Sequence, residues 1–274
     1  MEKVDNIARS DNGFKKTFEK KDFLALAGIL LLGAILLLCQ RTAEPEMSRD
    51  SCYYLLLVQH WQQGGFEGVL KVLPNFWFPP LHLFLVSALT FTGISPETSA
   101  LAISMTCACL MPLASFAIAH EIFKDKRISL AAALLTAVNP SVIDMAVQAQ
   151  RDVPYLFAVG WCIFFVIAAI RRNHWLWWCA AGLPFAAAML IRYETAEFLP
   201  LLGIYFVIAL IKKQLPWYLL CRNLAIFALS GLVSMVILLA ASGTLNYMAG
   251  SYYRYFIAQT KAVIQLHNNG DNRK

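Results

Sequence analysis

Carboxylates and guanidinium groups stand close together in three short polar segments of a largely apolar chain. The segments are residues 44–50, 150–152 and 192–194, and each lies in a gap between apolar runs. A carboxylate can take a proton from an attacking hydroxyl, and a guanidinium can stabilise negative charge that develops on a leaving group. If the three segments lie on one face of a membrane, they can form an active site at its surface.

The composition of the chain is that of a membrane protein with several spans. Of its 274 residues, 59% are hydrophobic and only 15% are charged, and the mean hydropathy is +0.57. Apolar stretches of about 17 to 25 residues can cross a bilayer as helices. Such stretches predict an all-α polytopic membrane protein with about seven transmembrane helices: residues 23–39, 98–120, 128–143, 153–170, 175–191, 195–211 and 217–241.

The connection between the first two predicted spans, residues 40–97, is far longer than the other connections. Within it, residues 81–91 are too few to cross a ~30 Å hydrocarbon core at about 1.5 Å per residue, so they are expected to be interfacial or re-entrant. An interfacial helix is also expected over residues 50–61, ending at the glycine pair 64–65. At the start of that helix, Asp50 could be an ordinary N-cap.

The basic residues predict the orientation of the chain, because Lys and Arg concentrate in cytoplasmic loops. If residues 81–91 do not cross, four basic segments fall on the cytoplasmic side: residues 1–22, 124–127, 171–172 and 212–213. The three polar segments then share the outer face. The expected organisation is a cytoplasmic tail (1–22), a membrane-embedded module (23–241) and an outer-face stub (242–274), in the plasma (inner) membrane.

The sequence does not indicate a metal, a cofactor or a nucleic acid. No set of His, Cys and carboxylate residues has the spacing of metal ligands, although an isolated acidic pair could still recruit a divalent metal. The net charge of +6 is explained by the basic loops, so a nucleic-acid partner is not expected. The predicted spans are nearly free of ionisable residues, which argues against an ion-coupled transporter.

Four motifs follow one another along the chain: Asp50-x-x-x-Tyr54 with Gly65 after it; Phe78-Pro-Pro-Leu-His82-Leu; Asn139-Pro140 leading to Gln150-Arg151-Asp152-x-Pro154; and Ile191-Arg192-Tyr193-Glu194. In order and spacing they resemble the polyprenyl-phosphate-sugar-dependent glycosyltransferases of the GT-C type. Within that type, the chain is most similar to the protein O-mannosyltransferase and lipid A aminoarabinose transferase group. The resemblance covers residues 23–211, the seven-span catalytic module.

The resemblance implies a transfer reaction at the outer face. The donor would be a sugar on a polyprenyl phosphate, and the other partners would be an extracytoplasmic acceptor and the membrane lipids. The acceptor hydroxyl would attack the anomeric carbon with Asp50 as general base, while Arg192 and Arg151 would stabilise the departing phosphate. The remaining donor-binding candidates are Asp152, Tyr54, Glu194, Glu46 and His82.

Several of these candidates also have structural alternatives. Arg192 and Arg151 could mark the ends of spans and extend to the lipid headgroups. Asp152 could cap the helix that has Pro154 in its first turn. Glu194 could orient Arg192 across the cleft, or it could cap the span that follows.

The other candidates leave similar choices open. Glu46 and Glu44 could be solvated loop acids, or either could supply the second carboxylate that many relatives carry where this chain has Ser51. Tyr54 could be an interfacial anchor, and His82 could be structural. For the chain as a whole, the alternatives are a non-catalytic carrier or transporter of a polyprenyl lipid and a truncated, inactive partner subunit.

Overall fold

The computed structural model describes residues 19–44, 46–74, 78–212 and 216–247, and every regular element in these ranges is helical. The all-α prediction is therefore confirmed. The expectations for the N-terminal tail before residue 19 and for the stub after residue 247 lie outside the described residues.

The helices follow one another with short connections, the longest of which, residues 73–80, joins the second helix to the third. Their bounds are α1 (Lys20–Ala43), α2 (Arg49–Val72), α3 (Leu81–Thr90), α4 (Pro96–Phe123), α5 (Lys126–Ala137), α6 (Pro140–Val147), α7 (Asp152–Arg172), α8 (Trp175–Ile191), a 3₁₀-helix (Tyr193–Glu197), α9 (Phe198–Ile211) and α10 (Trp217–Ala241).

The long apolar helices make the chain an integral membrane protein. Helices α1, α4, α7 and α10 are long and apolar enough to cross a membrane, as is the 3₁₀-helix taken together with α9. The bent pair of α5 and α6 is either a broken sixth span or a re-entrant loop. Helix α8 has 17 residues. At about 1.5 Å per residue it is about 26 Å long, a little short of a ~30 Å hydrocarbon core. The predicted total of seven spans counts α8 and stays a prediction.

The span predicted over residues 128–143 was wrong as a single helix. It consists of α5 and α6, which meet at a bend of 45°. The side chain of Asn139 accepts hydrogen bonds from the backbone N–H groups of Ser141 and Val142, and Pro140 occupies the first helical position. Asn at the N-cap and Pro at the first position are typical of a new helix start, so the chain stops and restarts here.

The long connection contains two helices. Helix α3 has ten residues, about 15 Å at 1.5 Å per residue, and most of it is buried against the rest of the protein. Helix α2 breaks at Gly64 and Gly65, where Gly65 has φ +60° and ψ −153°, a conformation that only glycine adopts readily. After the break the chain doubles back, and a Cβ on Gly68 would overlap the carbonyl oxygen of His60.

Ion pairs fix which helix ends lie together. At one end of the bundle, Lys126 of α5 pairs with Asp22 of α1 at 2.6 Å, and Arg172 of α7 pairs with the buried Glu121 of α4 at 2.9 Å. At the other end, Arg41 of α1 pairs with Glu97 of α4 at 3.3 Å. Residues 19–22, 124–127 and 171–172, which were expected in the cytoplasm, therefore share one end, and the three polar segments meet at the opposite end.

Aromatic side chains fill the core between α7, α8, α9 and α10. Trp178 is 2% exposed and packs against Phe206 and Phe227, with ring centroids 5.8 and 6.4 Å away. Helices α8 and α10 approach closely at Gly182 and Gly231, where a Cβ on Gly182 would lie 2.6 Å from the backbone nitrogen of Gly231. This packing holds the carboxyl end of α8, and hence Arg192, against the start of α7.

Candidate active site at one end of the bundle

A polar cavity of about 280 Å³ brings the first two polar segments together. It lies between the start of α2 and the start of α7, and it is lined by Ser48, Arg49, Asp50, Ser51, Tyr54, Gln150, Arg151 and Asp152. Four of the predicted site residues are in this set: Asp50, Tyr54, Arg151 and Asp152. The third polar segment joins the cavity through contacts of Arg192 with its wall.

Asp50 lies in the first turn of α2 with its side chain exposed. It is not the N-cap of that helix, because the Oγ of Ser48 accepts the backbone N–H of Ser51 at 3.2 Å and fills that role. Among the described residues, the Asp50 carboxylate forms no ion pair and no side-chain hydrogen bond. The dipole of α2 favours negative charge at this position. The Asp50 carboxylate is therefore stabilised in its charged form by the dipole of α2, and it is accessible to a ligand.

Arg151 is held by aromatic faces and not by carboxylates. Its guanidinium carbon lies 5.2 Å from the ring centroid of Tyr54 and 5.7 Å from that of Phe78. Cation–π contacts of this kind fix the plane of a guanidinium without neutralising its charge. Within the part of the chain that the structure describes, Arg151 has no carboxylate within ion-pair distance. Its positive charge is available to an anion in the polar cavity.

Tyr54 and His82 form the apolar support of Arg151. The Tyr54 ring meets the rings of Phe78 and His82 edge-on, with both centroid distances at 5.7 Å. Burial raises the pKa of Tyr54 to about 12, so its phenol is protonated at neutral pH. Burial lowers the pKa of His82 to about 4, so this side chain, 1% exposed, is neutral. His82 does not line the polar cavity.

Arg192 is bound by two carboxylates. Its Nη1 pairs with Oδ1 of Asp152, and its Nη2 donates to Oε1 of Glu194 at 2.8 Å. Its guanidinium carbon lies 5.5 Å from the ring centroid of Tyr155. The Nε is buried and has no hydrogen-bond partner among the described residues. The arrangement links α7, α8 and the 3₁₀-helix, and it places a cation between two acids.

An apolar cavity of about 300 Å³ lies on the other side of Arg192. It runs between α7, α8 and α9, and its apolar lining is Val159, Cys162, Ile163, Phe185, Ala188, Phe198 and Leu201. Glu194, Thr195, Glu197 and Tyr155 also line it. Arg192 lines neither cavity, but it contacts Asp152 in the lining of the polar cavity and Glu194 and Tyr155 in the lining of the apolar cavity, so it connects the two linings.

Glu46 lies in neither of these cavities. It lines a third cavity of about 330 Å³ together with Glu44, Met47, Ser48 and Gln148, which we call the acidic cavity. The acidic and polar cavities have Ser48 in common. Glu46 and Asp50 are therefore on adjoining sites, and the structure does not bring them together in one pocket.

Sequence reasoning placed Gln150 in a motif without giving it a role, and it missed Gln148, which connects the cavities. Gln148 donates to Asp144 at 2.8 Å, and Gln150 donates to Gln148 at 2.9 Å. Ser104 of α4 donates to the backbone carbonyl of Gln150 at 3.2 Å. The chain of hydrogen bonds fixes the amides that line the acidic and polar cavities. The only sequence signal was the polar spacing Gln148-x-Gln150 between two apolar runs. In the described residues, no three His, Cys, Asp or Glu side chains come together as a metal site.

Comparison with known proteins agrees with the resemblance seen in the motifs. The family model for dolichyl-phosphate-mannose-protein mannosyltransferase matches residues 78–231, more than half of the chain. The match includes Arg151, Asp152 and Arg192, whereas Asp50 lies before it. No curated protein matches the chain. With its motifs, its membrane helices and this match, the chain belongs to the dolichyl-phosphate-mannose-protein mannosyltransferase family.

Proposed function

We propose that the chain is a glycosyltransferase that moves a hexosyl or pentosyl unit from a polyprenyl phosphate to an extracytoplasmic hydroxyl. Membership of the family supports the reaction class and the class of donor. The observation that carries the site assignment is that Asp50 and Arg151 line one polar cavity, each without an ion-pair partner among the described residues. A base and a cation that both lack an ion-pair partner in the described structure suit a displacement at a sugar phosphate.

In the proposed reaction, the oxygen of the acceptor hydroxyl bonds to the anomeric carbon while the bond between that carbon and the phosphate oxygen breaks. The hydroxyl proton passes to the carboxylate of Asp50. The polyprenyl phosphate departs with the electron pair, and Arg151 donates its N–H groups to the resulting anion. A guanidinium suits this role because it can bond two phosphate oxygens at once.

The two cavities on either side of Arg192 match the two halves of such a donor. The sugar occupies the polar cavity, with Tyr54 and Gln150 in its lining, and the first isoprene units occupy the apolar cavity. The phosphate joins sugar and lipid, so it lies at the junction where Arg192 is bound by Asp152 and Glu194. His82 acts indirectly, through its contact with Tyr54.

The acceptor approaches through the acidic cavity, where Glu46 supplies the second carboxylate on the acceptor side. In this proposal residues 1–22 are cytoplasmic, residues 23–241 form the catalytic module in the plasma (inner) membrane, and the active face is extracytoplasmic. A reporter fused after Lys126 tests the orientation. A cytoplasmic signal is expected, and a signal from the opposite side of the membrane would contradict the outer-face site.

The proposed function is tested with the purified full-length chain and a short-chain polyprenyl-phosphate sugar, by measuring binding and release of the sugar. The parent is expected to bind and turn over the donor. Asp50→Asn is expected to keep binding and lose turnover by roughly 10²- to 10⁴-fold, the usual contribution of a general base. The matched control is Glu67→Gln, an exposed acid on the same helix that lines no described cavity.

The outcomes separate the proposal from its alternatives. Binding without turnover in the parent would favour a non-catalytic carrier or an inactive partner subunit. Equal loss in Asp50→Asn and Glu67→Gln would remove Asp50 from the reaction. No binding at all would leave only the membrane architecture.

A further inference from the structure

Arg192 occupies an unusual electrostatic position for a phosphate ligand. It carries one positive charge, but Asp152 and Glu194 bring two negative charges into direct contact with it. The three side chains together therefore carry a net negative charge. A phosphodiester that arrives at this junction adds a further negative charge, which Arg151 attracts but each of the two carboxylates on Arg192 repels.

The two carboxylates differ in how firmly they are held. Asp152 lies in the first turn of α7, a helix of 21 residues, and its side chain is 27% exposed. Glu194 lies in a 3₁₀-helix of five residues, and its side chain is 50% exposed. Short 3₁₀-helices have poorer hydrogen-bond geometry than α-helices, and an exposed side chain can turn into solvent at little cost. Glu194 is therefore the partner that can leave.

Arg192 also has hydrogen-bonding capacity that the empty protein does not use. A guanidinium has five N–H donors, and its Nε is buried without a partner among the described residues. An unsatisfied buried donor is unfavourable, and a phosphate oxygen can satisfy it. A phosphate at the junction thus offers Arg192 both a replacement for Glu194 and a partner for the unused donor.

We propose that Glu194 is a positioning residue that holds Arg192 across the junction of the polar and apolar cavities in the empty protein and yields this arginine to the phosphate of the donor. The inference rests on the proposed function for the identity of the ligand. According to this proposal, the phosphate of the donor releases Arg192 from Glu194, and the lipid tail alone does not. Lipids without an anionic group at this position leave Arg192 bound to both carboxylates.

The proposal and a supporting role for Glu194 predict opposite changes in the affinity for the donor. If Glu194 merely orients Arg192 toward the phosphate, Glu194→Gln weakens binding of the donor. If Glu194 competes with the phosphate, the same substitution tightens binding. The expected gain is roughly three- to fivefold, the scale of a half-exposed ion pair, and it should shrink as the salt concentration rises.

The experiment measures the dissociation constant of a short-chain polyprenyl phosphate without a sugar, using the full-length chain in detergent micelles. The control is Glu67→Gln, which removes the charge of an exposed acid that lines no described cavity. Glu194→Asp is a second variant, since it keeps the charge but withdraws the carboxylate by one methylene. Competition predicts tighter binding for Glu194→Asp as well, whereas simple repulsion predicts no change.

Tighter binding in both Glu194 variants, with Glu67→Gln close to the parent, supports the proposal. Weaker binding in Glu194→Gln, or an equal gain in Glu67→Gln, overturns it while the proposed function stands on the binding of the parent. If neither the parent nor any variant binds polyprenyl phosphate, both the inference and the proposed function fail.

Discussion

The hydroxyl of Ser48 accepts the backbone N–H of Ser51 at 3.2 Å, and this contact caps the helix that carries Asp50. The two serine hydroxyl oxygens are also 2.7 Å apart. Because Ser48 supplies the N-cap, the carboxylate of Asp50 is not needed to cap the start of the helix. The site thus separates a residue that stabilises the helix from a residue that can act on a ligand.

This separation leads to opposite expectations for two substitutions. Asp50→Asn should leave the free energy of unfolding within about 0.5 kcal/mol of the parent, because it changes an exposed side chain without internal partners. Ser48→Ala should lower it by about 1 kcal/mol, the usual cost of losing an N-cap. Thermal unfolding in detergent, followed by circular dichroism, measures both. A larger loss in Asp50→Asn than in Ser48→Ala would show that Asp50 has a structural role.

Substitution of Arg151 should weaken binding of the donor. Arg151→Gln removes a cation that has no carboxylate partner among the described residues, so we expect affinity for a polyprenyl-phosphate sugar to fall roughly 10- to 100-fold, the range for a hydrogen bond to a charged group. The donor affinity of Arg151→Lys should lie between those of Arg151→Gln and the parent. Lys keeps the positive charge but loses the planar contact with Tyr54 and Phe78.

Arg49→Gln is the matched control for Arg151, since Arg49 is an exposed arginine that lines the same cavity without aromatic contacts in the described structure. Its affinity for the donor should fall by less than threefold, the scale of an exposed charge. Titration calorimetry at two salt concentrations compares the variants. If Arg49→Gln and Arg151→Gln weaken binding equally, the cavity attracts anions only through its general charge.

The fold was predictable where the apolar runs are long, and less so where the chain breaks a run. Helices α1, α4, α7 and α10 follow directly from hydropathy. The break between α5 and α6 does not follow from hydropathy, although the pair Asn139-Pro140 is a sequence signal for the start of a helix. A continuous apolar run was given more weight than the helix-start chemistry of this pair. The helix predicted to end at the glycine pair does break there, but the second helical segment, which follows Gly65 and ends at Val72, was not predicted.

The site was predictable as a set of residues but not as a set of contacts. The motifs placed Asp50, Arg151 and Arg192 at the same face, and these residues do lie at one end of the bundle. A contact between Glu194 and Arg192 was one of the alternatives, but the sequence could not tell that Asp152 also binds Arg192 while Arg151 has no carboxylate partner in the described structure. That difference depends on how α7 and α8 pack together, which hydropathy does not encode.

Acid should destabilise the protein through His82. In the folded chain its pKa is lowered to about 4 by burial, whereas in the unfolded chain it is near 6.5. Between these values the unfolded state binds more protons, so the free energy of unfolding falls as the pH drops from about 6.5 toward 4, by roughly 3 kcal/mol in total. His82→Phe should flatten this part of the profile. Thermal midpoints at pH 7 and pH 5 compare the two proteins.

The same measurement contains its own check. An unchanged profile in His82→Phe would mean that other groups cause the acid sensitivity and that His82 is not forced to stay neutral.

Close packing of α8 against α10 should make Gly182 intolerant of any side chain. A Cβ at this position would overlap the Oγ of Ser230 and lie 2.6 Å from the backbone nitrogen of Gly231, so the helices must separate or shift. Overpacking of this kind costs about 1–3 kcal/mol. Gly182→Ala should therefore lower the thermal midpoint. Because Arg192 directly follows α8, the substitution should also weaken donor binding.

Gly203→Ala in α9, where a Cβ would meet no atom within 4 Å, is the control and should change neither property. A Gly182→Ala variant as stable as Gly203→Ala would contradict the close crossing of these helices.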